Sequence, residues 1–151
     1  MTLLNVPHLK QDKEGWCLPA CVAMAAAYLQ QPLLQADLAR WLDTQEVGTT
    51  ASNIQRLTKR GFDVTYTTGS LADLEAWLTQ KTPPILFIRT GNLPYWSVDT
   101  PHAIVLGDLT VDKAHLFDPS IETAPAIVSS DELLLAWEPF DYAYAVITVS
   151  S

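Results

Sequence analysis

The sequence predicts an α+β fold in a single domain spanning residues 1–151, with helices gathered in the N-terminal part and a mainly antiparallel sheet in the C-terminal part. Two patterns and one absence carry this. Helical apolar spacing dominates up to Arg60, and strand-like runs dominate after Pro84. No repeat, low-complexity segment or linker divides the chain.

Taken in order, residues 2–9 form an extended arm, since Pro7 excludes a helix there. A first helix runs from Trp16 to Gln30. Pro19 suits its first turn, and the run from Ala20 to Ala27 is apolar on nearly every side, which marks a buried helix. Pro32 opens a second helix with Leu33, Leu34, Leu38, Trp41 and Leu42 as its stripe, broken by Gly48, Thr49 and Thr50. Thr50 or Ser52 caps a third helix through Arg60; Ile54 and Leu57 face inward and Gly61 stops it.

Phe62, Val64 and Tyr66 then alternate with polar residues as a half-buried strand. Ser70 caps a helix to Gln80, with Leu71, Leu74, Trp77 and Leu78 inward, and Pro83 and Pro84 end it. Residues 85–90 form a strand and 91–101 a loop. Residues 102–109 form the next strand, with 114–118 as its hairpin partner. A short helix capped by Ser130 lies within 128–137, and 142–149 alternates as the last strand.

With 48% apolar and 17% charged residues the composition is that of a soluble globular protein. No apolar run reaches the roughly 18 residues of a membrane span, and the first residues lack the pattern of a signal peptide. Cys17 and Cys21 read as reduced thiols of a cytoplasmic protein. Four apart on one helix, they are poorly placed for a disulfide. Without a second Cys pair or a close His pair they predict no metal site. Residues 91–151 carry one cation, Lys113, and nine carboxylates, while residues 1–90 balance. This argues against nucleic acid as a partner and reads as an acidic, solvated surface, with cationic or neutral substrates as the functional alternative.

The chemistry centres on residues 11–29. Cys17 sits at a helix mouth, where unpaired N–H groups favour a thiolate. Gln11, six positions earlier, can curl back to donate its amide to an oxyanion. A thiol nucleophile needs a base and a group to orient it. His102 opens an apolar strand after a loop and is the favoured base, with His115 as its rival and His8 in the arm. Asp118, followed by Pro119, stands at a strand end and is the candidate orienter; Asp99, Asp108 and Asp112 are loop or turn alternatives. By local sequence alone Asp118 also reads as an ordinary turn-initiating Asp-Pro.

This ordered set, Gln11, WCLPACVAM at 16–24, HAIVLGDL at 102–109, FDPS at 117–120 and DELLLAW at 131–137, resembles the bacteriocin-processing, double-glycine leader peptidases. These are papain-like cysteine proteases, often the N-terminal domain of peptide-exporting ABC transporters. The resemblance implies a helical lobe packed on an antiparallel sheet with a cleft between them. It implies Cys17 as nucleophile, His102 as general base and acid, Asp118 as orienter and Gln11 as oxyanion donor, with no metal or organic cofactor. The family usually carries Gly after the nucleophile, where this chain has Leu18. No phosphate-binding G-x-x-x-x-G-K-[ST] motif is present, so the expectation is a peptidase domain alone, free-standing or excised from a transporter.

Trp16 and Leu18 flank the nucleophile, and Tyr95 and Trp96 lie in the loop running into His102; these are the candidate substrate-binding residues. The implied substrate is a peptide cut after two small residues such as Gly-Gly. Two other functions share the same residues: a non-cleaving leader-peptide-binding module, and a papain-like acyltransferase or deamidase.

Overall fold

A computed structural model describes residues 3–151. The helices are α1 (Cys17–Tyr28), α2 (Gln35–Trp41), α3 (Leu71–Thr79) and α4 (Ser130–Trp137). The strands are β1 (Phe62–Thr68), β2 (Ile85–Arg89), β3 (Pro101–Leu109), β4 (Lys113–Phe117), β5 (Ala126–Ser129) and β6 (Ala143–Val149). They form one six-stranded sheet in the order β1-β6-β2-β3-β4-β5, antiparallel at every pairing. Of the helices that open the chain, α1 lies against β3 and α2 packs on α1. This is the segregated α+β arrangement with a helical lobe on an antiparallel sheet. The extended arm holds for its described residues, Leu4 donating to the Gly107 carbonyl; Thr2 lies outside them.

Each element follows from a local cause. Every residue of α1 from Leu18 to Ala26 is buried, as its all-round apolar composition requires. Small alanines let the helix sit close over β3. Gly61 ends the preceding helix in a left-handed conformation, φ 91°. Ser70 and Asp73 form a reciprocal capping box at α3.

Four details depart from the sequence reading. α2 begins at Gln35 rather than Pro32, because Leu34 stays extended and 70% exposed as the residue before the first turn. Ala51–Arg60 winds as a 3-10 helix, and Thr50, which stands at its start, makes no side-chain capping bond. Its buried residues, Ile54 and Leu57, are three apart, and a three-residue turn stacks such positions on one line. α4 is capped by Ser129, not Ser130, because only Ser129 has an acid three residues on, Glu132, to return the bond. The Ser130 hydroxyl instead donates to the Val111 carbonyl. Finally, β5 adds an edge strand of four residues, too short to show a period.

The register between β3 and β4 slips between Leu106 and Asp108. Gly107 makes that bulge workable: a Cβ there would run into the Phe117 ring and Leu3. The pairing sets Val105 opposite Phe117, so His102 near the start of β3 and Asp118 just past β4 approach each other.

Candidate active site

Cys17 is the first residue of α1, and the Trp16 side chain before it makes no capping bond. The amide N–H groups of the first turn are therefore not taken up by that side chain. Gly15, with φ 79°, turns the chain into the helix, and a Cβ there would sit 2.8 Å from the Glu46 carbonyl oxygen. Cys17 lines a cavity of about 400 Å³ together with Gln11, His102 and Ser120. Leu18, Trp96 and Phe140 contribute apolar wall.

Across the cavity His102 donates from Nε2 to Asp118 Oδ1 at 2.7 Å. An ionised carboxylate only accepts, so Nδ1 is the nitrogen left to serve the Cys17 sulfur. Asp118 is completely buried. Four donors saturate it: His102 Nε2 and the Ser120 N–H at 2.8 Å on Oδ1, the Tyr95 hydroxyl at 2.7 Å and Trp96 Nε1 at 2.9 Å on Oδ2. The bond from the Ser120 N–H is an Asx turn, so Asp118 both starts its turn and holds the imidazole.

The electrostatics follow from these contacts. Burial works against the His102 imidazolium, but hydrogen bonds and charge from Asp118 and Cys17 more than offset it and hold its pKa up at about 9. Burial also works against the Asp118 carboxylate, yet His102, the Ser120 N–H and Trp96 keep its pKa below the usual value. Burial pushes the Cys21 thiol well up, with Cys17 and Asp118 adding to it. Cys21, one turn below Cys17 and buried, is a packing residue.

Gln11 is held from several sides. The Gln35 side chain accepts from the Asp12 N–H at 2.8 Å and donates to the Lys10 carbonyl at 2.9 Å, clamping the chain on either side of Gln11. The Gln11 main-chain N–H donates to the Pro119 carbonyl at 2.8 Å. Its side-chain Nε2 donates to the Lys13 carbonyl at 2.9 Å, and its Oε1 accepts from the Ser120 hydroxyl at 3.1 Å.

Of the residues nominated from sequence, Gln11, Cys17, Leu18, Trp96 and His102 line the cavity, and Asp118 stands directly behind His102. Trp16 and Tyr95 do not line it. Trp16 lies under the Lys13 ammonium, and Tyr95 turns its hydroxyl onto Asp118. Trp96 packs edge-on against the His102 ring, centroids 4.9 Å apart. The rivals are engaged elsewhere: His8 with the Ile121 carbonyl, Asp99 with Arg89, Asp108 with the Leu109 N–H, and Asp112 with Thr110, while His115 sits on β4 opposite Asp108. The sequence reading gave no role to Ser120, Gln35 or Phe140. The Asp-Pro-Ser turn was the one signal for Ser120. Among the described residues no group of three His, Cys, Asp or Glu side chains could hold a metal ion.

An imidazole bonded to a buried carboxylate, sharing a cavity with a cysteine at a helix mouth, is the arrangement that a thiol nucleophile needs. On this fold it makes the protein a cysteine peptidase of papain-like architecture. The chain belongs to the Peptidase C39 family, whose model matches residues 5–145.

Among solved structures it is similar to a protein described as a C39-like peptidase from Bacillus anthracis, with TM-score 0.78, 16% identity, and 99% of this chain and 98% of that one covered. It is also similar to the peptidase domain of Streptococcus ComA, a bi-functional ABC transporter of a quorum-sensing pathway, with TM-score 0.77, 16% identity and coverage of 97% and 100%. A third is a double-glycine-motif protease from an AMS/PCAT transporter in complex with its leader peptide, with TM-score 0.74, 15% identity and coverage of 98% and 94%. At these identities the likeness is one of fold. No curated protein matches this chain. Among the described residues no helix is long and apolar enough to cross a membrane.

Proposed function

We propose that residues 1–151 act as one endopeptidase domain that cuts peptides after a pair of small residues, by way of an acyl-enzyme on Cys17. The Cys17 thiolate attacks the scissile carbonyl carbon, forming the C–S bond. The Gln11 amide and the Cys17 main-chain N–H receive the oxyanion. As the C–N bond breaks, His102 gives its Nδ1 proton to the departing amine. His102 then takes a proton from water, whose oxygen attacks the thioester and frees the thiol. Asp118 holds the ring so that Nδ1 faces the sulfur.

The observation that carries this reading is the 2.7 Å bond from His102 Nε2 to a fully buried Asp118, with Cys17 lining the same cavity as His102 and favouring its charged form. The choice of small residues is supported by the apolar walls, where Leu18, Trp96 and Phe140 narrow the cavity. The ComA and PCAT relatives of this fold are parts of ABC transporters, and the latter was captured with a leader peptide. By that analogy the substrate is a leader peptide met in the cytoplasm, and the partner is a peptide-exporting ABC transporter. Two free thiols suit that reducing setting.

The test is to incubate the protein with peptides carrying Gly-Gly or Leu-Leu before the same bond and follow products by mass spectrometry. Cleavage of the Gly-Gly peptide alone, abolished by Cys17→Ala, supports the reading. Binding without cleavage would make the domain a recognition module, and preference for Leu-Leu would overturn the substrate class.

A further inference from the structure

We infer that Ser120 is a positioning residue for the oxyanion donor: its hydroxyl orients the Gln11 amide, so that one turn, residues 118–120, sets both the base and the oxyanion site. This rests on the role proposed above for Gln11.

The argument starts from the amide's capacity. A glutamine side chain offers two N–H donors and one carbonyl acceptor. For Gln11 the carbonyl oxygen accepts from Ser120 Oγ at 3.1 Å, and one N–H donates to the Lys13 carbonyl at 2.9 Å. That leaves one N–H without a partner among the described residues, on a side chain that lines the cleft with Cys17. The Ser120 proton is committed, because a carbonyl oxygen can only accept. The hydroxyl lies 3.4 Å from His102 Nε2, whose own proton goes to Asp118 at 2.7 Å, so Ser120 is at most a weak acceptor there.

Two backbone bonds keep the hydroxyl in place. The Ser120 N–H donates to Asp118 Oδ1 at 2.8 Å, and the Pro119 carbonyl accepts from the Gln11 N–H at 2.8 Å. Gln11 is thus tied to this turn by main chain and side chain together. Without the hydroxyl the amide keeps only its bond to the Lys13 carbonyl, about which it can swing its free N–H away from the cleft or bring its oxygen toward it. A carbonyl oxygen there would repel the developing oxyanion instead of stabilising it. Preorganised donors stabilise a transition state because they need no reorientation as charge develops.

The experiment is a double-mutant cycle on cleavage of a Gly-Gly peptide with the full chain, with Ser120→Thr as the variant that keeps the hydroxyl. Gln11→Ala is expected to lower kcat by about 10²–10³. Ser120→Ala should lower kcat by about tenfold with KM held, the worth of one hydrogen bond, and Ser120→Thr should restore most of it. In the Gln11→Ala background Ser120→Ala should cost nothing further, and neither limb of the pH profile should move. A loss of the same factor in both backgrounds would mean Ser120 acts through His102 or the fold, and would overturn the inference. So would full activity in Ser120→Ala. Full activity in Gln11→Ala, with Cys17→Ala dead, would instead remove the oxyanion role on which the inference rests.

Discussion

The Tyr95 hydroxyl donates to Asp118 Oδ2 at 2.7 Å, on the carboxylate oxygen that His102 leaves free. The loop entering β3 is thereby latched to the carboxylate that the His102 imidazole bonds. Hydrogen bonds to a charged acceptor are worth about 1.5–3 kcal/mol each, so Tyr95→Phe should lower unfolding stability by that order. Turnover should fall less than in Asp118→Ala, which leaves Tyr95, Trp96 and His102 all short of an acceptor. Denaturant melts and peptide cleavage rates measured side by side check both statements; a Tyr95→Phe variant as stable as the parent would contradict the latch.

The two cysteines should differ sharply toward an alkylating reagent. Cys17 opens onto the cleft beside His102, whereas Cys21 is fully buried with its thiol pKa pushed well up. Mass spectrometry after brief treatment should find Cys17 modified first. Cys17→Ala should abolish turnover, and Cys21→Ala should leave most of it. Equal labelling of both thiols would refute the assignment.

Activity should follow a bell in pH, with its alkaline limb near the His102 pKa of about 9. Asp118→Asn removes one of the two charges that hold this value up, so the limb should move toward lower pH. Stability carries the same signature. The His102 pKa is raised from 6.5, so its contribution is complete below that value and is lost as pH rises through about 9. The Asp118 pKa is lowered from 3.8, so its contribution is present above that value and fades as pH falls through the folded pKa. Melting temperatures of the parent and His102→Gln across these windows test the signs. An alkaline limb that stays put in Asp118→Asn would refute the Asp118 effect.

Cleft width should be adjustable without touching Cys17, His102 or Asp118. Trp96 both lines the cavity and donates to Asp118, so Trp96→Ala would mix a wider cleft with a loosened Asp118 carboxylate. Phe140 lines the same cavity and has no part in that network. Phe140→Ala should therefore admit larger side chains before the cut while the rate on a Gly-Gly peptide is held. A peptide-library comparison reads this directly, and unchanged selectivity would remove Phe140 from the specificity wall.

Much of this protein is written in local pattern. The all-apolar run after Cys17 determined a buried helix, the alternation at Phe62, Val64 and Tyr66 a strand, and the Ser70 cap and Gly61 stop their helix ends. The order Gln11, Cys17, His102, Asp118 was legible because each lies at an end of an element or in the turn beside it, and such positions are marked by prolines, glycines and breaks in periodicity. The tertiary structure alone decided the rest. α2 starts at Gln35, whose side chain reaches back to Lys10 and Asp12, and β5 forms because β4 offers it an edge. Trp96 is cleft wall, as its place in the loop suggested, and Tyr95 is not, yet both point their donors at Asp118, more than twenty residues away. The Ser120 hydroxyl meets Gln11 across more than a hundred. Periodicity reports which face of an element is buried. Which donor meets which acceptor depends on strand register, a bulge at Gly107 and the path of the loops, and these are settled only when distant segments pack together.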